Sequence, residues 1–155
     1  MHASTRLFAR QRPTAGIASA DLAVDSPEDA VTAVMLSMAP TEPPQLLFLF
    51  CDSGRRVRLG VSVDGAGPAE APRAAECVLS AADDSWSTAL VVGLVLAGES
   101  TELEVADLAP LLELSAICDD VGLPLLEVVV IAGSHWRSVL SLVAGSAPWG
   151  NNGDQ

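Results

Sequence analysis

Ser134-His135 sets a hydroxyl beside an imidazole, the pair from which acyl-transfer enzymes draw a nucleophile and its base. Adjacent residues at a hairpin tip point to opposite faces, however, and the sequence supplies no third group to orient the ring. His2 is the only other histidine, and the chain has neither lysine nor tyrosine. Most side chains that build acid, base, nucleophile and metal sites are therefore missing or isolated. Cys118 precedes Asp119-Asp120 and has no basic neighbour to lower its thiol pKa, so it reads as a core thiol. Asp83-Asp84 and Asp119-Asp120 stand at element ends, where solvated acids are ordinary, and the sequence names no partners that would make them a metal or glycosidic pair. Gly65-x-Gly67 lacks the glycine pattern and helix start of a phosphate loop.

Composition narrows the function classes further. A formal net charge of −12 and a pI near 4.2 give a field that repels phosphate backbones and anionic lipid, so nucleic acid is not an expected partner. All eight basic residues are arginine; Arg55, Arg56 and Arg58 cluster, but Asp52-Ser53-Gly54-Arg55-Arg56 reads as a polar hairpin tip. No apolar run reaches the roughly 18 residues of a membrane span. Three cysteines, Cys51, Cys77 and Cys118, are an odd number with apolar neighbours, which predicts buried thiols in a reducing compartment and hence a cytoplasmic protein.

The elements that would position any site follow from periodicity. Residues 1–22 read as a disordered tail, 23–144 as one α/β domain, and 145–155 as a flexible tail. Ser26-Pro27-Glu28-Asp29 combines an N-cap, a first-turn proline and acids, predicting a helix with Val31, Val34, Met35 and Met38 on its apolar face and an end near Pro40. Strands are expected over 45–51 and 57–63, joined as a hairpin around Ser53-Gly54, and a second helix over 72–82. Residues 89–96 are apolar on both parities, as in a central strand covered on both faces. A third helix occupies roughly 104–121, with Gly122 past its end. Its start is open, since Thr101 to Glu104 has capping-box spacing that leaves Pro110 inside, whereas Asp107 as N-cap puts Pro110 in the first turn. Strands over 125–131 and 136–143 complete the order αββαβαββ, a central mixed sheet with flanking helices.

Several strings in this order carry a resemblance. Phe50-Cys51-Asp52-Ser53 ends a hairpin strand, Pro72-Arg73 opens the next helix, Gly122-Leu123-Pro124-Leu125-Leu126-Glu127 enters a strand, and Trp136-Arg137-Ser138 lies in the last one. Over residues 45–143 the chain resembles the RadC branch of the JAB (MPN) metal-dependent domains. The resemblance implies a JAB/MPN-like fold. In active members a His-x-His-Pro at the end of the central strand, a Ser and an Asp at the next helix, and an upstream Glu hold zinc and take a proton from its water. Here Leu94, Val95, Leu96 and Ala97 stand at His-x-His-Pro, Glu104 stands at the Ser, and the Glu position falls on or near Pro44. Only Asp107 matches, and one carboxylate does not hold a catalytic zinc; it reads as a helix cap. Ser26-Pro27-Glu28-Asp29 and His135-Trp136-Arg137-Ser138 are also similar to an actinobacterial domain family of unknown function, which implies no activity.

The resulting expectation is a metal-less, non-catalytic RadC-like domain acting as a protein-interaction or scaffolding module, without a cofactor and with a protein partner or a second copy as its object. Trp136, Arg137 and Trp149 are the candidate contact residues, Trp136 also reading as a cap on the sheet. Two alternatives stand beside it. One is a small-molecule-binding or sensing domain using the vacated positions Leu94, Leu96, Glu104 and Asp107 with the loop between them; the other is a hydrolase with ligands of another pattern.

Overall fold

The computed structural model describes residues 4–9, 23–38, 42–81 and 87–140. Among these residues it is an α/β domain with three helices and a mixed six-stranded sheet. The elements are β1 (Ser4–Ala9), α1 (Pro27–Ser37), β2 (Gln45–Cys51), β3 (Val57–Asp64), a 3-10 turn (Pro68–Glu70), α2 (Ala71–Ala81), β4 (Ala89–Leu96), α3 (Val105–Asp120), β5 (Leu125–Ala132) and β6 (His135–Ser138). The sheet order is β1-β3-β2-β4-β5-β6, antiparallel throughout except for the parallel pair β4/β5, which α3 connects. β1 falls within the stretch read as an N-terminal tail; its distant partner β3 sets its register from Ser4 opposite Asp64 to Ala9 opposite Leu59. The C-terminal tail, Trp86 and Trp149 lie outside the described residues.

Two apolar layers sandwich the sheet. On one face α1 packs Ala30, Val31, Ala33 and Val34 against Leu47, Leu49, Val91, Val129 and Ile131. On the other, α2 and α3 bring Ala75, Val78, Leu111, Leu114 and Cys118 onto Leu46, Phe48, Phe50, Val92, Leu94, Val128 and Val130. β2 and β4 are interior strands with both faces covered, which is why their apolar residues run without alternation. Each fully buried Leu or Phe there contributes about 1.5–3 kcal/mol relative to exposure.

α1 starts as its sequence dictates, with Ser26 Oγ accepting from Asp29 N–H at 3.2 Å. Met35, expected on the buried face, is 42 % exposed, because the small side chains of Ala30 and Ala33 are what allow the helix to approach the sheet. The β2–β3 hairpin turns through Ser53-Gly54 with Arg55 at φ 61°. α3 ends on a Schellman arrangement: Leu123 N–H donates to Cys118 O at 3.0 Å and Gly122 N–H to Asp119 O at 3.1 Å, with Gly122 at φ 72°. The last strand is shorter than its sequence pattern. β6 stops at Ser138, and Val139 and Leu140 are helical rather than extended.

Candidate functional site

The parallel pair β4/β5 brings two carboxyl ends together, the place where open α/β sheets hold ligands. The loop after β4 and the β5–β6 turn meet there. Gly133, at φ 61°, forms the turn with Ser134, and the Glu99 carboxylate lies so close over Gly133 that a Cβ would overlap it. Glu99 Oε1 is 3.5 Å from Nδ1 of His135, both side chains largely exposed. The sequence reading missed this third group because Glu99 and His135 are far apart in the chain, and only the topology joins them. The contact orients the ring toward Glu99. Among the described contacts none joins Ser134 Oγ to the imidazole.

The four positions matched to the zinc site divide between core and helix cap. Leu94 is fully buried in the α2/α3 core, and Leu96 is half-buried and, like Leu103 and Leu108, packed against the same cluster. Glu104 is the N-cap of α3 and exposed. Asp107 is the third helical residue, and its Oδ2 accepts from Glu104 N–H at 3.4 Å. The helix thus starts at Val105, neither at Thr101 nor with Asp107 as N-cap, and Pro110 lies inside it, leaving the Ala106 carbonyl without its usual i+4 donor. Glu104 and Asp107 place negative charge at the positive end of the helix dipole, with Glu99 and Glu102 in the preceding loop, so an anionic ligand is disfavoured there. Among the described residues no three His, Cys, Asp or Glu side chains gather where they could hold a metal ion.

Trp136 and Arg137 lie on β6, at the edge of the sheet. Trp136 pairs with Ile131, whose side chain faces α1, and is 43 % exposed; Arg137 pairs with Val130 on the opposite face and is half-buried. Trp136 therefore does not close over the sheet as a full cap would.

The thiols separate. Burial, with Asp52 adding to it against a smaller opposing effect of Arg55, pushes Cys51 up to about 12, and burial followed by Asp119 does the same to Cys118. Cys77, expected buried, is exposed on α2. The basic cluster at the hairpin tip is tied down locally: Arg58 Nε donates to Asp52 Oδ2 at 2.7 Å, and Asp52 Oδ1 accepts from Gly54 and Arg56 N–H at 2.9 and 3.1 Å. No helix among the described residues is long and apolar enough to cross a membrane.

The chain matches no known family model and no curated protein.

Proposed function

We propose that this chain is a non-catalytic protein-interaction or scaffolding module, a RadC-like JAB domain without its metal, that engages a protein partner or a second copy through the β6 edge. The observation that carries the reading is Trp136: a large aromatic side chain, 43 % exposed, on the strand that ends the sheet among the described residues, where a backbone edge is a template for strand pairing. Arg137 beside it adds a residue type enriched among binding hot spots. Leu94 in the core and Asp107 in the α3 cap support the loss of zinc chemistry, because both positions already have structural work. They also leave the small-molecule reading of the vacated positions without an observation in its favour. The charge of −12 supports a partner other than nucleic acid, and the two buried free thiols suit a reducing, cytoplasmic compartment.

Light scattering after size-exclusion chromatography, on the wild type and Trp136→Ala, tests the reading. Loss of an aromatic hot spot weakens association by about 2 kcal/mol, roughly 30-fold in Kd. A complex unchanged by Trp136→Ala and Arg137→Ala places the contact elsewhere.

A further inference from the structure

Glu127 is a fully buried acid in the first half of β5. Its Oε2 accepts from two amides, Leu140 N–H at 2.8 Å and Val128 N–H at 3.2 Å. The β5–β6 ladder pairs Val129 with Ser138, Val130 with Arg137, Ile131 with Trp136 and Ala132 with His135. Continued by two steps, the same register sets Val128 opposite Val139 and Glu127 opposite Leu140. The chain does not take those steps. Leu140 N–H is held by the side chain of the residue whose backbone it would have faced, and the same oxygen occupies Val128 N–H on the side from which a longer β6 would approach.

The sequence would permit the longer strand. Residues 136–143, Trp-Arg-Ser-Val-Leu-Ser-Leu-Val, carry the β-branched and apolar content of a strand, and the periodicity predicts one throughout. Val139 and Leu140 are instead helical and buried in the α2/α3 core, at 2 % and 7 % exposure. Leu125 to Val128 include an extra residue of β5, Leu126, with Leu90 pairing with Leu125 and Val91 with Glu127, and the β6 ladder does not reach them. An inward-reaching charge on a strand is a known way of blocking strand addition.

We propose that Glu127 is a latch: its carboxylate diverts the chain into helix at Val139 and so keeps Val139 and Leu140 from zipping onto the outer edge of β5. The occupant excluded is this chain's own continuation of β6, since the register already established delivers it to that edge without a search. The latch fixes β6 at four residues and thus fixes how much backbone edge, and which flank of Trp136, the domain presents. It stands whether or not that edge binds a partner.

The test is NMR on the wild type, Glu127→Val and Glu127→Gln. In the wild type the α- and β-carbon shifts of Val139 and Leu140 are helical. In Glu127→Val they move to extended values, with cross-strand contacts between Val128 and Val139. Glu127→Gln keeps an acceptor oxygen without the charge; its fold is retained and Leu140 amide exchange, referenced to the β4 amides, quickens about tenfold. Helical shifts at Val139 and Leu140 in a folded Glu127→Val overturn the proposal. So does a concentration-dependent dimer with those residues still helical, which would give the edge to a second copy. Should Glu127→Val not fold, unchanged Leu140 exchange in Glu127→Gln overturns it alone.

Discussion

The side chain of Val34 occupies the space above Gly93: a Cβ built on that glycine would stand 2.6 Å from Val34 Cγ1 and 3.0 Å from Cγ2. Gly93 is the one residue of β4 without a side chain, and Leu47 flanks it in β2 and Val129 in β5. Val34 thus seats α1 in a hollow of the sheet. Gly93→Ala forces the helix outward and costs about 1–3 kcal/mol. Val34→Ala combined with Gly93→Ala recovers part of that loss, and urea unfolding free energies of the wild type, both single variants and the double variant measure the coupling.

The thiols give a pH dependence with a definite sign. Cys51 and Cys118 lie near 12 in the folded chain against a usual 9.0. Below pH 9 both states keep these protons. Between about 9 and 12 the unfolded chain releases them first, so stability declines across that window; Cys51→Ala and Cys118→Ala each flatten the decline while lowering stability at pH 7 through lost packing. At pH 8 a thiol reagent modifies Cys77 alone until denaturant is added.

Asp52 behaves in the opposite sense. Burial acts to raise its pKa, but the hydrogen bonds from Arg58, Arg56 and Gly54, with the Arg58 charge, outweigh it and hold the carboxyl below the usual 3.8. Its contribution is present above that value and disappears as pH falls through the lower folded value. Asp52→Ala opens the hairpin tip at a cost of about 1 kcal/mol, modest because the pair is exposed, and it removes this share of the acid limb of the stability profile.

Gly122 closes α3 at φ 72°, where Leu123 N–H can reach Cys118 O and Leu123 and Cys118 join one core cluster. Gly122→Ala retains the contacts at a cost of about 1–2 kcal/mol of backbone strain. A thermal melt shows it as a lower Tm with secondary structure intact at low temperature.

What the sequence disclosed was local. Ser26-Pro27, the unbroken apolar runs of β2 and β4, the Ser53-Gly54 turn and Gly122 each carry their structural instruction within a few residues, and each element formed there. Met35 was misplaced because helical spacing counts apolar residues without weighing size; Ala30 and Ala33 pack closer, and Val34 has Gly93 to receive it. β1 is set by a distant partner, and the end of β6 by a carboxylate thirteen residues upstream. Neither relationship leaves a periodic trace. At the candidate site, Asp107 acts in the cap of α3 as the third helical residue rather than as the N-cap its position suggested, because Glu104 takes that place, and Glu99 reaches His135 only because β4 and β5 run parallel and Gly133 leaves room.

Native mass spectrometry of the protein purified from its own host, beside the Trp136→Ala variant, tests the central claim most directly, because one spectrum reports metal, small ligand, copy number and any co-purifying chain. The account predicts a metal-free homo-oligomer or a complex with another protein in the wild type, reduced to the free chain in Trp136→Ala. A stoichiometric zinc or a retained small molecule on an otherwise monomeric wild type contradicts it.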